Sequence, residues 1–152
     1  MKNEALYRRT VDILVAAYFN DTLVHLDCTA CAVGNIVAAN KGLVLERLEN
    51  GMVKLKNAVY EENTKWFTAI FNGEFYQDCT EDVMEQIRIT GYNGFELASI
   101  EYAFEHASSG GSNDVWMFNG LMAVIDALDI IHENTDTTAT ASTKQRFIKQ
   151  MA

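Results

Sequence analysis

Apolar residues recur at helical spacing over residues 3–19. Leu6, Val11, Leu14, Val15 and Tyr18 form a stripe there, and Glu4, Arg8, Arg9 and Asp12 fall outside it. Asn20-Asp21-Thr22 supplies a stop and turn signal. The pattern predicts a second helix over 28–40, with Asp27 as N-cap and Gly42 just past the end. It is rich in small residues: Ala30, Cys31, Ala32, Gly34, Ala38 and Ala39. Small side chains let two backbones approach closely, which places this helix at the centre of a bundle. Gly34 costs about 1 kcal/mol against alanine in a helix interior, so a packing reason is expected for it.

Residues 43–63 place Leu43, Leu45 and Leu48, then Val53, Leu55 and Val59, on either side of Asn50-Gly51. They read as a hairpin or as a helical pair. Residues 64–77 carry the same ambiguity. Asn72-Gly73 between apolar runs is the signature of a primed two-residue turn. The same stretch also puts Trp66, Phe67, Ile70 and Phe71 on one helical face, and its helical neighbours favour the helix. A short helix is predicted over 81–90, with Glu81 and Asp82 in its first turn and Gly91 ending it.

Asn93 and Glu96 have capping-box spacing for a helix over 94–107. Its apolar stripe is Leu97, Ile100 and Phe104; Glu96, Glu101 and Glu105 fall on other faces, read as solvated. After the Ser108–Ser112 loop, Asn113 or Asp114 caps a helix over 115–132. It turns Phe118, Leu121, Met122, Ile125 and Leu128 inward, and Asp126, Asp129 and Glu133 outward. Residues 134–143 are almost wholly Thr, Ala, Asn and Asp, a composition that cannot order itself alone. Phe147, Ile148 and Met151 then suggest a short docking helix. The expected fold is all-α or mainly α: a compact bundle of about five helices, with room for one small β-hairpin. Residues 1–133 form a single helical domain and 134–152 a Thr-rich polar tail.

Composition narrows the function. The 152 residues are 49% hydrophobic, enough for a core without disulfide staples. The net charge of -9 disfavours nucleic-acid binding, except by mimicry of nucleic acid toward a protein. The longest apolar stretch, 13–19, is far too short to span a bilayer, so no membrane partner is expected. No secretory leader is visible and there are three cysteines, which points to a reducing, cytoplasmic setting.

The candidate chemistry is sparse. His25, Cys28 and Cys31 are spaced as zinc ligands, with Cys79, His106 or His132 able to complete a tetrahedral set. Thiols filling a tight helix interface are the plainer account of the same spacing. Cys28-Thr29-Ala30-Cys31 is also a redox-type pair, though nothing around it resembles a thioredoxin-like domain. Asp129 and His132 share the i, i+3 spacing of helical di-iron ligands, and Glu101 and Glu105 are spaced i, i+4, but the full set of such a centre is missing. No phosphate loop or nucleophile elbow is present.

Three blocks are similar to a known group: residues 28–40, beginning Cys28-Thr29-Ala30-Cys31; residues 91–105, beginning Gly91-Tyr92-Asn93-Gly94; and residues 117–126, beginning Met117-Phe118-Asn119-Gly120. Together they resemble small proteins carried by phages and prophages of gut bacteria. The resemblance implies a virion accessory or an inhibitor of host defence, and no site residue carries over from it. The leading expectation is therefore a non-enzymatic interaction protein that binds a protein partner or itself, with Trp66, Phe67, Tyr92, Asn93 and Asn119 as contact residues. The first alternative is a protein that sequesters a small nucleotide-like ligand. In it Trp66 or Tyr92 would stack, Asn35, Asn93 or Asn119 would hydrogen-bond, and Arg8, Arg9, Lys41 or Arg88 would meet phosphate. The second is a zinc or redox protein built on His25, Cys28, Cys31 and Cys79.

Overall fold

The computed structural model describes residues 1–26, 30–56, 70–71, 74–75 and 81–149. Helix α1, Glu4–Phe19, buries Leu6, Tyr7, Thr10, Val11, Leu14, Ala17 and Tyr18. Helix α2, Ala32–Asn40, buries every residue from Ala32 to Ala38, as its small side chains allow. It begins later than its composition suggests. Cys31 is extended (φ -71°, ψ -178°) and acts as the N-cap, its Sγ accepting the Gly34 N–H at 3.2 Å. The expected helical face shared by residues 28 and 31 is therefore not formed, because Cys31 stands before the helix; Cys28 lies outside the described residues.

Strands β1, Val44–Arg47, and β2, Val53–Lys56, pair antiparallel with Val44 opposite Lys56 and Arg47 opposite Val53. The Asn50-Gly51 break is thus the turn of a hairpin rather than a gap between helices. Strands β3, Ile70–Phe71, and β4, Glu74–Phe75, form a second antiparallel pair with Phe71 opposite Glu74. At 70–71 and 74–75 paired strands stand in place of the helix favoured over 64–77; the rest of that stretch, Asn72-Gly73 included, lies outside the described residues. Trp66 and Phe67 lie outside the described residues.

Helix α3, Glu81–Arg88, ends at Gly91, whose φ of +86° suits glycine and whose missing Cβ would lie 2.9 Å from the Leu6 side chain. Helix α4, Gly94–Ala107, starts with the expected capping box between Asn93 and Glu96. Helix α5, Asp114–Ile131, is capped by Asn113, whose side chain accepts the Trp116 N–H. The two helices close on each other at Gly120, where a Cβ would stand 2.8 Å from the Phe104 ring. Leu14, Ile36, Leu97, Ile100, Phe104, Leu121, Ile125 and Leu128 are fully buried between α1, α2, α4 and α5.

Helix α6, Thr137–Gln145, buries none of its residues. It is ordered from outside itself. Asp136 caps it, Thr140 Oγ1 donates to Asp129 Oδ2 at 2.6 Å, and Phe147 beyond its end is fully buried with its ring 6.2 Å from that of Tyr18. Lys149 closes the segment by placing its ammonium 4.1 Å from the Tyr18 ring centre and 3.1 Å from both Asp21 and Asp114. The fold is mainly α. Among the described residues no helix is long and apolar enough to cross a membrane.

Candidate metal centre

Close packing by α2 gives α4 a second buried face. Leu97, Ile100 and Phe104 occupy the expected stripe, while Gly94, Ala98, Glu101 and Glu105, spaced along another face, are buried too. Glu101 is 2% exposed and Glu105 4%, which overturns their reading as a solvated face. Their carboxylates meet the Cys31 thiol, 1% exposed, with one donor atom from each within 4.8 Å of the others.

Each carboxylate is held by one oxygen. Glu101 receives the Cys31 thiol and the Val33 backbone N–H, and its carboxyl stands within hydrogen-bonding reach of the Glu105 carboxyl. Oε2 of Glu105 accepts the Leu26 backbone N–H at 2.8 Å and lies 2.8 Å from His25 Nδ1. The remaining oxygens, Glu101 Oε2 and Glu105 Oε1, are buried without a hydrogen-bond partner. Among the described residues no lysine or arginine pairs with either glutamate.

The loop that supplies Leu26 and His25 is fixed at both ends by Asn35. Its Nδ2 donates to the carbonyls of Thr22, Ala30 and Cys31 at 2.9–3.1 Å, and its Oδ1 accepts the Thr22 hydroxyl at 2.9 Å. Val24 N–H also reaches the Ala30 carbonyl at 2.8 Å. Leu26 sits in the left-handed region at φ 61°, which costs a leucine about 1–2 kcal/mol. Its side chain is 60% exposed, so burial does not offset that strain. What the conformation achieves is an N–H aimed at Glu105.

Burial pushes the Glu101 carboxyl up to about 8, with the Cys31 hydrogen bond opposing the shift and the Glu105 charge adding to it. Burial also pushes the Cys31 thiol well up, and the facing Glu101 charge adds to that. A thiol so held is a poor nucleophile and a poor redox group. It is a usable metal ligand, because a cation removes the cost of ionising it.

Of the zinc ligands expected from the sequence, Cys31 is in this cluster and His25 is at its edge through Glu105. Cys28 and Cys79 lie outside the described residues. His132 is elsewhere in the core and His106 stacks on Tyr102 at the surface. Glu101 and Glu105 are the residues that sequence reasoning did not select. Their i, i+4 spacing was visible, but its meaning depended on α2 lying against that face.

The other predicted contact residues are engaged in structure. Tyr92 is 4% exposed, its hydroxyl 2.8 Å from Thr10 Oγ1 and 2.9 Å from His132 Nε2. Asn93 caps α4. Both line a cleft of about 500 Å³ with Arg88 and Glu96, but Tyr92 is too buried to offer a stacking face there. Asn119 is exposed on α5 and is not part of that lining. Arg8 pairs with Glu4, and Arg9 borders a different cleft of about 400 Å³. No protein-family model, curated protein or solved structure matches the chain.

Proposed function

We propose that the protein binds a divalent transition-metal ion of the zinc class, held between α2 and α4 by Cys31, Glu101 and Glu105. The observation that carries this reading is a buried thiol and two buried carboxylates with one donor atom from each within 4.8 Å of the others, each carboxylate keeping one oxygen without a hydrogen-bond partner. A buried acceptor without a partner costs about 1–3 kcal/mol, and more when it is charged. A proton shared by the two carboxylates would relieve their repulsion. It would leave Cys31 as the N-cap of α2 and a thiol donor to Glu101, with no part as a ligand.

The donor set narrows the ion. A thiolate among the ligands selects zinc, cobalt or iron over magnesium and calcium, which take oxygen donors. All three side chains are at most 4% exposed, so the ion would join two helices rather than face a substrate. Chelator-stripped protein equilibrated with zinc should carry one ion per chain in a native mass spectrum, and Glu101→Gln/Glu105→Gln protein none. A bare wild-type chain under those conditions would refute the reading and leave the shared proton.

Stoichiometric protein binding, which the sequence favoured, draws less support. Among the described residues, the exposed large apolar side chains are scattered from Met1 and α1 through the loop before α2, the β1–β2 hairpin, α4 and α5 to Ile148, as on ordinary protein surfaces.

A further inference from the structure

We propose that His25 is not a metal ligand but the positioning residue of this centre: with the Leu26 backbone N–H, its ring N–H locks one oxygen of Glu105 so that the other is presented to the ion. The assignment rests on the metal-binding reading above and makes a separate claim about which side chain does what.

The hydrogen-bond network decides the tautomer. His25 Nδ1 lies 2.8 Å from Glu105 Oε2 and 2.9 Å from Ser108 Oγ. The single hydroxyl proton of Ser108 goes to the Phe104 carbonyl at 2.6 Å, so toward His25 the serine can only accept. The glutamate oxygen also accepts. Both neighbours of Nδ1 therefore demand a proton on it, so Nδ1 has no lone pair to give a metal, and neither ring nitrogen joins the donor atoms of Cys31, Glu101 and Glu105 that lie within 4.8 Å of one another.

Glu105 is left asymmetric. Oε2 accepts the Leu26 N–H and lies at ion-pair distance, 2.8 Å, from His25 Nδ1, while Oε1 is buried with no hydrogen-bond partner in the residue that clusters with Cys31 and Glu101. A ligating carboxylate is commonly oriented in this way, by hydrogen bonds to the oxygen that does not face the ion. The local backbone is committed to the same end. The His25 backbone N–H donates to Ser112 Oγ at 3.0 Å, and Leu26 adopts φ 61° with its side chain 60% exposed.

Cobalt(II) titration of the chelator-stripped full chain tests this, with the thiolate-to-cobalt absorption reporting Cys31. The variants are His25→Ala and His25→Asn. The asparagine amide nitrogen can stand where Nδ1 stands and offer its N–H, but it has no counterpart of Nε2. His25→Ala should weaken cobalt binding about 10–100-fold while reaching the wild-type spectrum at saturation. His25→Asn should recover most of that loss. Circular dichroism of the metal-free variants controls for folding, and rescue by asparagine is a result that a ring needed only for packing would not give. Equal weakening by both substitutions with an altered saturated spectrum would make His25 a direct ligand and overturn the assignment. Wild-type affinity in His25→Ala would overturn it while leaving the metal reading intact. Absence of cobalt uptake by the wild type would overturn both.

Discussion

Two buried polar clusters flank α4, and they are built on opposite terms. Just before its first residue, Tyr92 joins a chain that runs from the Lys2 carbonyl through His132 and the Tyr92 hydroxyl to Thr10 and the Leu6 carbonyl, each link 2.8 or 2.9 Å long. Every member has a partner. In the C-terminal half of α4, Glu101 and Glu105 are as deeply buried, yet each keeps one oxygen with none. The first cluster ties the N-terminus, α1 and the end of α5 together with neutral or singly charged groups. The second brings two acids and a thiol into the same kind of environment. A folded chain tolerates that arrangement when a cation or a proton completes it. Equal burial thus hides different purposes, and the hydrogen-bond ledger separates them.

The separation can be broken most forcefully at His132. Its replacement by alanine deprives Tyr92 Oη and the Lys2 carbonyl of a partner and leaves a cavity. The urea midpoint should report a loss of about 3–5 kcal/mol. A loss under about 1 kcal/mol would mean that this chain of hydrogen bonds is not structural. Next in size is the response to metal. Zinc at about a hundred times its Kd should stabilise the wild type by about 2.7 kcal/mol. That corresponds to a rise in Tm of about 5–10 °C for a chain of this length. Glu105→Gln should show no such rise, and an equal rise in that variant would place the zinc elsewhere.

A smaller effect of opposite sign sharpens the contrast. Glu101→Met replaces an incompletely satisfied buried acid by an apolar side chain of similar length. In metal-free protein it should be neutral or stabilising by about 1–2 kcal/mol, because removing a buried charge cluster often is. It should abolish the zinc response at the same time. A clear destabilisation, comparable to that at His132, would mean that the hydrogen bonds Glu101 accepts from the Cys31 thiol and the Val33 N–H outweigh the cost of burying it, and would undo the comparison.

The satisfied cluster and the unsatisfied one also differ in how far they could be read from the chain. Local signals served well. The Asn93–Glu96 capping box and the Asn113 cap stand where their residues predict, and the small-residue helix is buried as expected although it begins at Ala32. What failed was any inference needing a partner distant in sequence. Glu101 and Glu105 lie off the main apolar stripe, and only the approach of α2 makes that face internal. Cys31 belonged to a helical pattern by spacing, yet it caps the helix instead, a role usually taken by Ser, Thr, Asp or Asn. The Thr-rich segment had no apolar stripe to announce a helix. Its order comes from Asp129 on α5 and from the burial of Phe147.

The smallest predicted effect tests the satisfied cluster by pH. Burial pushes the Tyr92 phenol from an ordinary value of 10.0 up to about 12, with the Thr10 hydrogen bond opposing the shift. Tyr7 is likewise pushed to about 12, by burial and then by its hydrogen bond to Asp129. Below about pH 10 these phenols are neutral in both folded and unfolded chains, and their stabilising contribution is fully present. Between pH 10 and 12 the unfolded chain releases these protons while the folded one retains them, so stability falls as pH rises, and the loss is complete above the folded values. Tyr92→Phe should begin about 1 kcal/mol less stable at neutral pH, having lost one hydrogen-bonding hydroxyl. It should then decline less steeply through the alkaline window, because the Tyr92 contribution is gone while those of Tyr7 and Tyr18, whose phenols burial also raises, remain. Lysine titration affects both proteins alike and cancels in their difference. The two stability curves should therefore converge between pH 10 and 12. Parallel curves would mean that the hydroxyl in the middle of this chain is not held neutral by the fold, and that the cluster is less closed than its hydrogen bonds imply.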